Sequence, residues 1–174
     1  MTHAPAPSPW VMRWSSLIPA GGAVLDIACG GGRHTRLLLK SGHPVTAIDI
    51  DVSRLADLAD QPMLAICQAD LETSSWPLPG RQYAGVIVTN YLWRPLLPTL
   101  LDSIAPGGVA IYETFAIGQE RFGKPSNPNF LLRPGELLEW ARGRLEVRGY
   151  EHIEEQQPAR AVLQRIAAVR PADR

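Results

Sequence analysis

The stretch Ala23–Arg33, AVLDIACGGGR, limits the possible folds more than any other part of this chain. Val24, Leu25 and Ile27 read as a short buried strand. Three consecutive glycines, Gly30 to Gly32, turn it into a helix that starts near Arg33. Glycine serves where backbone takes a positive φ or must lie close against a ligand, because it has no Cβ to clash. At a strand end and a helix N-terminus, such a turn presents free N–H groups to a bound polar ligand. Many plain connections use glycine too. Two acids sharpen the reading: Asp26 inside the strand, and Asp49 at the end of Ala47-Ile48, one strand–helix unit later.

The pattern continues down the chain. Strands are expected at about 23–28, 45–49, 63–68 and 85–89, then from Val109 to Glu113. Helices are expected over about 32–40 and 52–60, and again where Leu96, Leu97, Leu100, Leu101 and Ile104 recur at helical spacing. Trp76-Pro77-Leu78-Pro79-Gly80 leaves no room for a third crossover helix. Ser8-Pro9 caps a lead-in helix carrying Trp10, Val11, Trp14 and Leu17. After a last helix near Pro134–Trp140, strands over Leu145–Glu151 and about Ala161–Val169 close an antiparallel edge. Alternating strands and helices imply an α/β fold with a doubly wound, mainly parallel sheet, whose ligands bind at the carboxyl ends of the strands. At 174 residues, one domain spans the chain, with about 1–8 and 171–174 expected to be disordered.

Asp26-Ile27-Ala28-Cys29-Gly30-Gly31-Gly32 resembles the first motif of the class I S-adenosylmethionine-dependent methyltransferases, with Ala28 in place of the motif's first glycine. The resemblance runs through Asp49, Asp70 and Thr89-Asn90. The small size and Arg133-Pro134-Gly135-Glu136-Leu137 are similar to the tellurite-resistance type of small methyltransferase. It implies a seven-stranded sheet of order 3-2-1-4-5-7-6. It also implies S-adenosylmethionine as cofactor, with S-adenosylhomocysteine as product.

The resemblance assigns cofactor binding to Asp26, Ala28, Cys29, Gly30, Gly32, Arg33, Asp49, Ile50, Asp70, Leu71 and Thr89. Asp26 organises the turn and attracts the cofactor's ammonium group, or is a carboxylate bonded to turn amides; the two roles are compatible. Asp49 takes the ribose hydroxyls, Ile50 or Asp51 flanks the adenine (Asp51 being equally a helix cap), and Asp70 takes the adenine amine with Leu71 beside it. The other reading of Asp70 is a turn cap. Arg33 covers the methionine carboxylate at the positive end of its helix; His34 is a weaker candidate, expected at the surface. Asn90 and Tyr91 face the reacting methyl as candidate catalytic residues. Trp93, Arg94, Phe115, Arg121, Phe122 and Arg133 are candidates for the acceptor side, the last four lying in or beside a long stretch, Phe115 to Leu132, that reads as a functional or mobile loop.

Charge and cysteine content set outer bounds. Lys+Arg 17 balances Asp+Glu 17, which leaves no broad basic footprint for nucleic acid, though a local patch stays open. Cys29 and Cys67 lack metal spacing and read as reduced packing residues; no metal is expected. No apolar run suits a membrane span, so a cytoplasmic enzyme acting on a small-molecule acceptor is expected. No feature of the sequence specifies an oligomeric state. The competing readings are an NAD(P)-binding oxidoreductase, which shares the glycine turn and distal acid, and a non-catalytic cofactor binder acting through a partner. Against the first, Gly30-Gly31-Gly32-Arg33 does not fit the G-x-G-x-x-G register.

Overall fold

The computed structural model describes residues 5–173. Seven strands form one sheet: β1 Val24–Ile27, β2 Val45–Asp49, β3 Leu64–Gln68, β4 Tyr83–Thr89, β5 Ile104–Phe115, β6 Glu146–Glu155 and β7 Ala161–Val169. Their order is β3-β2-β1-β4-β5-β7-β6. The first five run parallel, and β7 and β6 are antiparallel additions at one side.

Alternation along the strands produces two covered faces. Leu25, Ile27, Val86, Val88, Ala110 and Tyr112 pack in one core. Val24, Ile87, Val109 and Ile111 pack in the other, together with Trp10, Val11 and Leu38. Those last three come from two helices, α1 Pro9–Trp14 and α2 Arg33–Lys40. Two further helices, α3 Leu97–Asp102 and α4 Glu136–Ala141, bring Leu100, Leu101, Leu137 and Ala141 to the first core.

Registry at the carboxyl ends positions the site. Ile27 lies level with Ile48 and with Val88, Asp49 with Gln68, and Thr89 with Glu113. The residues that follow each strand therefore emerge in one row. β1 and β4 are neighbours whose outgoing connections diverge, which opens the crevice between them.

Three expectations need correction. The helix expected over 52–60 is a 3₁₀ helix, Ser53–Leu58, begun by Asp51, whose Oδ1 accepts the Ser53 N–H at 2.9 Å. At about 2 Å of rise per residue, a 3₁₀ helix crosses the sheet in fewer residues than an α-helix. Ile104 starts β5, opposite Tyr83, instead of ending the preceding helix. Residues 5–8, expected to be disordered, are docked: Ser8 is buried, its N–H donates to His34 Nε2 (3.0 Å) and its Oγ–H to Glu113 Oε1 (2.7 Å). Residues 1–4 and 174, also expected to be disordered, lie outside the described residues.

The stretch 115–132 is pinned at several points. Ala116 bridges Leu132, Gln119 is buried, its Oε1 accepts the Val162 N–H, and its Nε2–H donates to the Lys124 carbonyl. Among the described residues, no helix is long and apolar enough to cross a membrane.

Candidate functional site

The glycine turn is built around two left-handed residues and two carboxylates. Gly30 (φ +55°) directs its N–H to Asp49 Oδ2 at 2.8 Å. Asp49 Oδ1 also accepts the Asp51 N–H at 3.0 Å. The Asp49 side chain thus lies against the turn, where the sequence placed it. Gly32 (φ +75°) is required twice over: a Cβ there would meet Leu55 Cδ2 at 2.5 Å. It also starts α2 without a side-chain cap.

Asp26 makes up for that missing cap. Its Oδ2 accepts the Thr35 hydroxyl at 2.6 Å, one turn into α2. The carboxylate is almost fully buried, and burial pushes its pKa up to about 6, against the pull of the Thr35 hydrogen bonds and the Arg33 charge. His34, expected at the surface, is 3% exposed. Its Nε2 accepts from Ser8, so the ring is neutral with its proton on Nδ1, facing Thr89 Oγ1 at 3.4 Å. Burial, helped by Arg33, lowers its pKa to about 4.

These two shifts act on stability with opposite sign. Ionising Asp26 in the folded state is costly, so its contribution falls as pH rises from about 4 to about 6. His34 must stay neutral, so its contribution is present above pH 6.5 and is lost as pH falls towards about 4. Each is worth on the order of 3 kcal/mol. In the wild-type chain they oppose one another. The His34→Gln variant is expected to lose stability, relative to wild type, as pH rises from 4 to 6, and Asp26→Asn to gain it, by urea unfolding. Parallel profiles for both variants and wild type would refute this account.

Ala28 sits at φ +50°, in the left-handed region, where the resembling motif has glycine. A Cβ there strains the backbone. The Ala28→Gly variant is therefore expected to be more stable by about 0.5–1 kcal/mol, the relief of strain exceeding the added entropy of the unfolded chain. A lower denaturation midpoint for that variant would contradict the assignment of strain.

Across the crevice, Asn90 is also left-handed (φ +54°), its N–H held by the Glu113 carbonyl at 2.9 Å. The Tyr91 hydroxyl is buried and has no hydrogen-bond partner. Burial raises its pKa to about 12, with Glu72, Asp70 and Asp49 pushing the same way, so it remains a donor at neutral pH. Three carboxylates and one idle donor converge here. Cys29 in the turn is raised to about 12 by burial and is no nucleophile.

The other expected residues divide. Ile50 is 62% exposed, an apolar side chain left beside Asp49. Asp70 is a half-buried turn cap, taking the Glu72 N–H (2.9 Å) and the Thr73 hydroxyl (2.6 Å), with lone pairs to spare. Leu71 and Trp93 line a pocket of about 240 Å³ with Trp76. Arg33 reaches away, donating to the Ala6 carbonyl at 3.1 Å. Arg94, expected to face an acceptor, is consumed in a clasp on Glu136, Asn129 and Leu131. Phe115 ends β5, its carbonyl accepting the Leu132 N–H. Phe122 lies between Arg121 and Arg160, Arg121 also pairing with Glu154, while Arg133 touches Glu136 at 3.4 Å. Thr35, Ser8 and Arg54 were not legible as site residues. Arg54 lies over the glycine turn, 3.2 Å from where a Gly30 Cβ would be. Among the described residues, no three His, Cys, Asp or Glu side chains are grouped to hold a metal.

The family model described as a methyltransferase domain matches residues 24–108, the span holding the glycine turn, Asp49, Asp70 and Asn90. Over those residues the chain is similar to methyltransferase domains. No curated protein matches the chain. Solved methyltransferases share the fold of this chain. The Burkholderia thailandensis 1,6-didemethyltoxoflavin-N1-methyltransferase, bound to 1,6-didemethyltoxoflavin and S-adenosylhomocysteine, superposes with TM-score 0.72 at 17% identity. The match covers 94% of this chain and 77% of that one. TehB from Haemophilus influenzae gives TM-score 0.72 at 18% identity, over 92% of this chain and 61% of its own, so this chain spans less than two thirds of TehB. The [4+2]-cyclase SpnF also shares the fold (TM-score 0.70, 14% identity, 94% and 79% covered), so the fold alone does not set the reaction.

Proposed function

We propose that the chain transfers the methyl group of S-adenosylmethionine to a small-molecule acceptor. The observation that carries this reading is the Asp49 carboxylate turned onto the Gly30 N–H at 2.8 Å. An acid at the end of β2, beside a bare backbone turn, suits the two ribose hydroxyls of an adenosyl group. The idle Tyr91 hydroxyl, buried with no partner, supports the fit, because a buried donor calls for an acceptor atom. Exposed Ile50 suits one face of the adenine, and the spare lone pairs of Asp70, with Leu71 beside them, suit its edge.

Bound there, S-adenosylmethionine supplies a methyl on a positively charged sulfur, which the acceptor's nucleophile takes by direct in-line displacement as S-adenosylhomocysteine leaves. The chain's own part is placement. Asp26, Ala28, Cys29, Gly30, Gly32 and Thr89 form the seat, with Asp26 drawing an ammonium group towards the turn. Asn90 and Tyr91 are set by the Glu113 and Tyr112 hydrogen bonds, which fix where a nucleophile can approach. Arg33, tied to Ala6, is left out of this set.

A small acceptor is supported by the pinned arm 115–132 and the Arg94 clasp, which keep the loops after β4 and β5 from spreading for a polymer. Trp93, Phe115, Arg121, Phe122 and Arg133 border that side. We take 1–174 as one functional unit, since the sheet is continuous from β1 to β7. We also place it in the cytoplasm, a setting that suits its two free cysteines. Calorimetry with S-adenosylmethionine, S-adenosylhomocysteine and NADH tests the reading. Heat with the two sulfur compounds and none with NADH is expected. The reverse pattern would sink it.

A further inference from the structure

A second concavity lies outside the cleft. A groove of about 920 Å³ follows the outward side of α2, which supplies Arg33, Arg36, Leu37 and Lys40. One wall is Arg54 and Asp57 of the 3₁₀ helix; the other is Pro5, Ala6, Pro7 and Met12. It meets the glycine turn only at Gly31, and none of Asp26, Asp49, Asp70, Thr89 or Asn90 lines it.

Its charge is unlike that of the chain. Cationic and acidic residues balance at 17 each overall, yet four cations and one carboxylate line this groove. Arg36 and Asp57 neutralise each other through two hydrogen bonds of 2.7 and 2.8 Å. Among the described residues, that pair is the only salt bridge of the groove, so Arg33, Lys40 and Arg54 line it without a salt-bridge partner there. Two of the guanidinium groups are held in place, Arg36 by Asp57 and Arg33 by the Ala6 carbonyl. The Arg36 Nε–H is buried without an acceptor. The opposite wall is apolar: Met12 is 48% exposed, and the prolines fix its shape.

We propose that this groove binds a small organic phosphate, with the phosphoryl group on Lys40, Arg54 and Arg33 and an apolar body against Met12, Leu37 and the prolines. Arginine forks match phosphate oxygens in pairs, and lysine adds a point charge. The volume suits a ligand larger than the phosphate itself. A nucleic acid fits less well, because the positive field is confined between two walls and does not extend as a stripe.

The test is a titration of the full chain with phenyl phosphate, inorganic phosphate and phenol, each with and without S-adenosylhomocysteine, followed by calorimetry. Phenyl phosphate is expected to bind saturably and more tightly than either fragment, with an affinity that S-adenosylhomocysteine does not change. Lys40→Glu and Arg54→Gln are each expected to weaken it about tenfold, as loss of a charge-assisted contact should, while Lys40→Glu leaves the melting temperature and cofactor binding as they were. Displacement of phenyl phosphate by S-adenosylhomocysteine would show that it sits in the cofactor cleft. Equal affinity in both variants, or equal binding of inorganic phosphate, would also overturn the proposal. So would a short oligonucleotide that binds far more tightly than phenyl phosphate. Failure of S-adenosylhomocysteine to bind at all would count against the methyl-transfer reading alone, since the phenyl phosphate arms stand without it.

Discussion

Replacing Asp49 by Ala is expected to weaken S-adenosylmethionine binding by about 100-fold or more, a loss of about 2–4 kcal/mol. Two charge-assisted hydrogen bonds to ribose account for most of this. A further part comes from the turn itself: without the carboxylate, the Gly30 and Asp51 N–H groups lose the acceptor that holds the loop in its ligand-ready shape. Asp49→Asn separates the two. It keeps one carbonyl oxygen for Gly30 and removes the charge, so it is expected to retain the fold's stability yet still lose most of the affinity. Calorimetry with S-adenosylhomocysteine, beside urea denaturation, reads both quantities. If Asp49→Ala bound the cofactor within a few-fold of wild type, the cleft beside β2 would not be the adenosyl site. The prediction is distinct from that for Asp26, whose burial makes its charge a cost to the fold, whereas half-exposed Asp49 is free to spend its charge on a ligand.

The sheet order was legible because each strand is short, apolar and closed by a turn signal, and because right-handed crossovers leave few ways to connect them. Asp49 was legible for the same reason: a charged residue at the end of an apolar strand has one direction to face. What failed depended on contacts between distant segments. His34 gives no local sign of burial, since its partners are the Ser8 N–H and Thr89, 26 and 55 residues away. Ser8 announces a helix cap, which it is, but not that its hydroxyl also reaches Glu113. Helical spacing carried the helix after β4 as far as Ile104, because an apolar residue at that spacing serves equally to begin a strand. Pairing with Tyr83 decided it. Arg54 belongs to a segment read as a helix, which is 3₁₀, and its place over the glycine turn depends on contacts between segments more than 20 residues apart.

Arg94 shows how a residue read as facing substrate becomes a support for the site. Its Nε–H and one Nη2–H donate to Glu136 at 2.7 and 3.0 Å, and its remaining groups take the Asn129 and Leu131 carbonyls at 2.7 and 2.8 Å. The guanidinium thereby joins the segment after β4, the arm 115–132 and the start of α4. Glu136 is well buried beneath it, its side chain 9% exposed, and the arginine holds its pKa below the ordinary carboxylate value against the cost of burial. Arg94→Ala is expected to destabilise the fold by about 2–3 kcal/mol, because it leaves two carbonyls without their donor and the largely buried Glu136 carboxylate with only the Arg133 N–H and side chain. Arg94→Lys is expected to recover only part of this, since an ammonium cannot serve three acceptors lying in different directions as a planar fork does. The double variant Arg94→Met/Glu136→Gln removes the stranded charge and should be more stable than Arg94→Ala. Urea unfolding at neutral pH ranks the three. Equal stability of Arg94→Ala and wild type would mean that the clasp is not formed in solution, and Arg94 would then return to the acceptor side of the cleft.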